Sequence, residues 1–145
     1  MACMAFESGE TFSASVRNAA GSGAVGLIQF MPSTARDLGT TTENLELLSA
    51  ESQLVYVRSY FSRYARRIAS LPDMYMAILL PKYIGALDSA VLFSGGTPYR
   101  QNAGLDANKD GQVSKLEAAS KVQAKLLRGV QPGLSAICNW TEGAQ

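Results

Sequence analysis

Apolar positions recur in short blocks separated by glycine, proline and serine, which predicts a set of short helices. Residues 1–7 read as the end of a helix, with Gly9 as its stop. Six or seven residues are too few for a helix standing alone, so an upstream part in a larger parent protein is expected. Residues 8–30 carry Gly9, Gly21, Gly23 and Gly26 and read as a long loop with room for a small hairpin. Val25, Leu27, Ile28 and Phe30 near its end predict that the loop is packed. A short helix is expected over 32–38, with Pro32 at its first position and Gly39 after its end. Another helical turn is expected over 43–48, and Ser49 is placed to cap the next helix.

The longest helix is predicted over 51–69, with Leu54, Val57, Phe61, Tyr64 or Ala65, and Ile68 on its apolar face. Arg58, Arg63, Arg66 and Arg67 fall mostly between those positions and read as a solvated face. Residues 73–80 are almost wholly apolar and predict a helix buried in the middle of the core, ended or kinked by Pro81. One more helix is read over 86–93, followed by a loop over 94–98. Residues 116–127 form an amphipathic pattern with Leu116, Ala119, Val122 or Gln123, and Leu126 on one side, closed by Gly129, Pro132 and Gly133. The tail 134–140 is apolar enough to dock on the body. The expectation is a mainly α fold in one domain spanning 1–145, with neither an internal repeat nor a linker long enough to divide it.

Composition narrows the chemistry. An apolar fraction of 47% and a charged fraction of 17% belong to an ordinary globular protein with a real core. The net charge of +1 gives no electrostatic case for nucleic acid or an anionic membrane. The chain has no histidine, which excludes His-based triads and His-ligated metals. Cys3 and Cys138 lack metal-type spacing and read as two separate buried thiols, a disulfide between the chain ends being the alternative. Residues 1–6 are too short for a signal core and lack a basic flank. The longest apolar run, 74–80, is cut by Pro81 and Lys82, so no membrane-spanning helix is expected.

Glu7 is the candidate for chemistry. A carboxyl group delivers a proton near neutral pH only if its pKa is raised. Desolvation by Phe6, Met4 and the apolar end of the loop would raise it, as would the negative end of the preceding helix. The string Glu7-Ser8-Gly9, followed by Gly23-Ala24-Val25-Gly26-Leu27-Ile28-Gln29-Phe30-Met31-Pro32-Ser33-Thr34-Ala35, resembles the lytic transglycosylases of the lysozyme-like superfamily. It is similar above all to the forms found in bacteriophage lysins and virion proteins. The likeness covers residues 4–39 and is weak beyond them.

That resemblance implies a lysozyme-like helical domain that cleaves the β-1,4 bond between N-acetylmuramic acid and N-acetylglucosamine in peptidoglycan. Glu7 would be the single acid and base, and Ser8 would position it or the substrate. Gln29 would hydrogen-bond substrate, with Phe30 and Met31 shaping the cleft. The family's third motif is replaced here by Tyr75 to Tyr83, and either Tyr75 or Tyr83 is the expected cleft tyrosine. Attack by the substrate's own C6 hydroxyl would give a 1,6-anhydro end, so a second carboxylate is unnecessary; a hydrolysing muramidase of the same fold is the alternative. The implied place of action is the bacterial cell wall, with delivery by a virion or through lysis. A calcium-stabilised, non-catalytic wall-binding or virion module is the reading from another class.

A second motif stands apart from these. Asp106, Asn108, Asp110, Gly111 and Glu117 match D-x-[DN]-x-[DN]-G-x5-E at every fixed position. Side-chain oxygens at Asp106, Asn108 and Asp110, the backbone carbonyl of Gln112 and two oxygens of Glu117 would surround a Ca2+ ion, with Ser114 holding a water. Because residues 102–105 do not read as an entering helix, a single EF-hand-like loop acting as a structural staple is expected.

Overall fold

The computed structural model describes residues 1–134. It is mainly helical, with a small two-stranded antiparallel sheet. The helices are α1 (Ala2–Glu7), α2 (Pro32–Asp37), α3 (Thr42–Glu46), α4 (Ala50–Ser62), α5 (Leu71–Leu79), α6 (Gly96–Asn102) and α7 (Lys115–Gly129). The strands are β1 (Val91–Ser94) and β2 (Gln112–Ser114). Among the described residues no helix is long and apolar enough to cross a membrane. The expected docking of the tail and any role for Cys138 lie outside the described residues.

Hydroxyl caps set four of the helix starts, the expected one at Ser49 among them. Thr41, Ser49, Ser70 and Ser114 each accept from the backbone N–H three residues on. Ser114 and Glu117 form a reciprocal capping box at the start of α7.

Two apolar clusters make the core. One gathers Cys3, Tyr75, Met76, Ala77, Ile84, Leu92, Val113, Ala118 and Val122 around α5 and α7. The other gathers Met4, Val25, Leu27, Ile28, Phe30, Ala35, Leu45, Val57 and Tyr60 around the glycine-rich loop and α4. Cys3 and Met4, adjacent on α1, belong to different clusters, so α1 lies along the seam. Burial of Cys3 pushes its thiol up to about 11, which makes it an inert core residue.

Several expected elements are corrected. Residues 86–93 do not form a helix: a turn through Asp88 and Ser89 leads into β1, whose Val91-Leu92-Phe93 run suits a strand. β1 pairs with β2 in the register Val91–Ser114, Phe93–Val113 and Ser94–Gln112, with an irregularity between Val91 and Phe93. The loop expected over 94–98 is shorter: Ser94 ends β1, and α6 starts at Gly96 with Pro98 in its first turn. The helix predicted to reach Ala69 ends at Ser62. Turns follow it, and they bring Arg67 to donate to the carbonyls of Pro81 (3.3 Å) and Ile84 (3.4 Å).

The buried faces of α4 and α7 are each set by a polar residue. On α4 the core positions are Gln53, Val57 and Tyr60, while Leu54 is 43% exposed. Gln53 is fully buried; its Oε1 accepts from Leu27 N (2.7 Å), and its Nε2 donates to the carbonyls of Leu45 (3.0 Å) and Ala14 (3.1 Å). On α7 the buried face is Lys115, Ala118, Ala119 and Val122, while Leu116 is 55% exposed. Lys115 Nζ donates to Asp73 Oδ1 (2.6 Å) and to the carbonyl of Ala86 (2.7 Å).

Gly26 shows how tightly the loop is held. Its φ is +81°, and a Cβ there would lie 2.3 Å from Gln53 Oε1. That oxygen belongs to an amide fixed by three hydrogen bonds and has nowhere to move. Gly26→Ala is therefore expected to cost about 1–3 kcal/mol, read as a lowered urea midpoint.

Candidate functional site

Glu7 is the last residue of α1, and the chain turns away at once. Ser8 is 1% exposed. Its Oγ donates to Met4 O (2.7 Å) and accepts from Phe12 N (3.0 Å). Both interactions tie the helix end to the loop, so Ser8 holds Glu7 in place from behind and its hydroxyl is engaged within the chain. Gly9, Glu10 and Phe12 all take positive φ, at 62°, 67° and 50°. Glu10 sends its carboxylate to Lys125 and to Arg128 (2.6 Å), which anchors this sharp turn on α7. Positive φ at the non-glycine Glu10 and Phe12 is uncommon backbone, of the kind that clusters where a structure must aim a side chain.

The Glu7 carboxyl is half-buried and has no hydrogen-bond partner among the described residues. Burial alone raises its pKa to about 7. The cause is loss of water around the carboxylate, as the sequence reading expects of a carboxyl flanked by apolar residues. Tyr75 supplies part of that dry wall. It is 3% exposed, its ring meets Phe6 edge-to-face at 5.6 Å, and the nearby Glu7 charge helps burial push its phenol upward. A carboxyl that titrates near neutrality can give up a proton and take one back under the same conditions.

Of the two expected tyrosines, Tyr75 lies close enough to Glu7 for the carboxylate charge to act on its phenol. Tyr83 lies in a 3-10 turn, Pro81–Tyr83, packed against the α5 cluster with Lys82 Nζ 5.1 Å from its ring centre.

The glycine-rich loop folds on itself. Bridges pair Arg17 with Val25 and Val25 with Phe30, so the segment contains a small hairpin-like turn. Gln29 occupies its corner with φ 53°, and its Nε2 donates to the carbonyls of Val16 and Gly26, both at 3.2 Å. Those bonds use the donor end of the amide to brace the loop. Phe30 is 2% exposed and meets Tyr60 edge-to-face at 6.3 Å, so it supports the loop from inside. Met31 caps α2 and is 44% exposed.

Gln53 is the site-supporting residue that sequence patterning misses. It holds the Gly26-Leu27 turn, yet it sits in a helical run whose periodicity points only apolar residues inward. The signal available in the chain is the close approach required at Gly26, which needs a partner without naming it.

The second motif forms a helix-loop-helix. Contrary to expectation, α6 and a 3-10 turn, Ala103–Leu105, enter the loop, and α7 leaves it. Tyr99 on α6 donates to Asp106 Oδ2 (2.7 Å), which explains how so short a helix is held. Lys109 and Gly111 take positive φ, and Lys109 N donates to Asp106 Oδ1 (2.7 Å) and Gly111 N to Asp106 Oδ2 (3.0 Å). Asp110 Oδ1 accepts from Gln112 N (2.8 Å), and Glu117 Oε1 reaches across to Asn108 N (3.4 Å). The Tyr99 hydroxyl and the loop amides keep Asp106 below the usual carboxylate range, and Ser114 does the same for Glu117. β2 finds its partner in β1, where a paired EF-hand would offer a second loop.

The donor set of Asp106, Asn108, Asp110, Gln112 and Glu117 is all oxygen and suits a hard cation such as Ca2+. No group of three or more acidic, Cys or His side chains converges on one point among the described residues. The carboxylates are turned to the loop's own N–H groups. No family model, curated protein or solved structure matches this chain, so the chemistry is read from its own residues.

Proposed function

We propose that the protein is a peptidoglycan-cleaving lytic transglycosylase with Glu7 as its single acid and base. The observation that carries this reading is the half-buried Glu7 carboxyl, raised to about 7 by desolvation and walled by Tyr75. The Glu7-Ser8 and Gly26 to Ala35 strings supply the substrate class. A lysozyme-like arrangement is supported by α1 ending at the seam of two apolar clusters, one of them built on the glycine-rich loop.

In the reaction, protonated Glu7 gives its proton to the bridging oxygen as the bond from the muramyl C1 breaks. The Glu7 carboxylate then takes the proton of the C6 hydroxyl as that oxygen bonds to C1. The products are a free N-acetylglucosamine end and a 1,6-anhydro-muramyl end, with no water consumed. Purified bacterial walls digested with the protein should release anhydro-muropeptides on chromatography. Release of reducing muramyl ends instead would assign hydrolysis, and no release would reject the activity.

The loop from Asp106 to Glu117 is proposed to hold Ca2+ as a staple that joins α6, β2 and α7. Asp106, Asn108, Asp110, Glu117 and the Gln112 carbonyl would supply the ligands. Binding to the folded state alone stabilises it by RT ln(1 + [L]/Kd), about 2.7 kcal/mol at a hundredfold excess over Kd. Millimolar calcium should raise the melting temperature, and Asp106→Ala should abolish the rise. An unchanged melting temperature in the wild type would count against the metal.

A further inference from the structure

Next to Glu7 lies a depression that the reaction above leaves unused. Its floor is Phe6, Tyr75 and Leu105, and its rim carries Gln101, Asn102 and Lys121. Phe6 and Tyr75 also wall Glu7, so depression and candidate acid share a boundary. Lys121 projects from the exposed part of α7 and has no ion-pair or hydrogen-bond partner among the described residues. Its neighbours on the same helix behave differently: Lys115 is paired with Asp73, while Lys125 and Arg128 are paired with Glu10. Asn102 donates to Pro98 O at 3.0 Å, leaving its carbonyl oxygen without a described partner.

We propose that this depression is a subsite for the carboxylate-bearing substituent of the muramyl sugar, with Lys121 as its counter-charge. The inference rests on the peptidoglycan reading above. The half-exposed Phe6 and Leu105 give the floor an apolar surface that suits an alanyl methyl group or the apolar side of a sugar, and the rim amides suit peptide or acetamido groups. A lone ammonium at the rim adds selectivity for ligands carrying negative charge. An N-acetylglucosamine unit brings none. The muramyl unit does, through its stem peptide or through the free lactyl carboxylate when the peptide has been removed.

Binding is measured in the Glu7→Gln background so that turnover does not intervene. The probes are three glycans of equal length: muramyl strands with stem peptides, the same strands with peptides removed, and chito-oligosaccharide. Lys121→Ala should lower the selectivity for at least one muramyl strand over chito-oligosaccharide by about tenfold, the scale of one charge-assisted hydrogen bond. Lys121→Arg should restore most of it, and added salt should erase the difference. Arg58→Ala, which removes the same charge from the exposed side of α4, should leave the selectivity intact. Loss confined to peptide-bearing strands assigns the stem peptide, and loss confined to bare strands assigns the lactyl group. Unchanged selectivity in Lys121→Ala, or equal loss with Arg58→Ala, overturns the subsite while wall cleavage by the wild type still stands. A wild type that neither binds glycan nor cleaves walls overturns both.

Discussion

Replacing Glu7 with Gln is expected to abolish wall clearing and, at the same time, to make the protein more stable at pH 8. The two effects share one cause. A proton delivered to the leaving oxygen typically contributes about 10²–10⁴ in rate, and the amide cannot deliver it. The carboxylate is also a poor resident of its own site. Its pKa is raised from 4.5 to about 7, so the native state holds the Glu7 proton more tightly than the unfolded chain does. Between those two values native stability falls as pH rises; below 4.5 the penalty is absent, and above 7 it is complete. Removing the charge should therefore recover up to about 3 kcal/mol at pH 8 and almost nothing at pH 4. Urea unfolding of both proteins at the two pH values, beside a turbidity assay on cell walls, reads both effects. Equal clearing by wild type and variant would reject Glu7 as the acid; a stability gain independent of pH would reject the desolvated carboxylate. Wild-type activity should decline as pH passes above about 7, where the acid loses its proton.

The buried pair of Lys115 and Asp73 should give the largest loss of stability. Their side chains are 2% and 6% exposed. Burial works to raise the Asp73 pKa, but Lys115 and the amides of Gly85 and Ala69 outweigh it and hold the group well below the usual range. Asp73→Ala leaves the lysine charge buried and unpaired, and such changes cost about 3–5 kcal/mol. Replacing both residues, as Asp73→Leu with Lys115→Met, should return part of that: the stranded charge is gone, while the amides of Gly85 and Ala69 still lose their acceptor. The sign of the pH effect is opposite to that of Glu7. A depressed carboxyl contributes its full stability above its ordinary value of 3.8 and loses it as the pH falls below. The acid limb of the wild-type stability curve should therefore be steeper than that of the double variant. Urea midpoints at pH 7 and pH 3 test this, and a double variant as unstable as Asp73→Ala would show that the pair contributes more than relief of a stranded charge.

The parts of this protein legible in its sequence are those written in local chemistry. The cap at Ser49, the stop after Glu7 and the turn at Gly111 each follow from one residue and its immediate neighbours. The end of α1 and the loop that follows it were likewise placed from Phe6, Glu7 and Gly9. What local chemistry does not contain is the rotation of a helix about its axis. On α4 and α7 the apolar periodicity favoured Leu54 and Leu116 as inward positions, and in each case the residue just before is buried instead. Gln53 and Lys115 go inside because distant backbone groups and one distant carboxylate require partners there, across separations of 26 and 42 residues. Period counting ranks a glutamine or a lysine as outward-facing and cannot register such a demand. The strand at Val91–Ser94 was missed for the same reason, since its partner, Gln112–Ser114, lies outside any window that reads residues 86–93.

The position of α1 ties both cores to one short element. Consecutive residues of this helix, Cys3 and Met4, are sunk into different cores, while Phe61, Tyr64 and Ile78 pack against both. The two clusters are therefore one mechanical unit. A substitution that loosens either of them is felt at the helix whose last residue is Glu7.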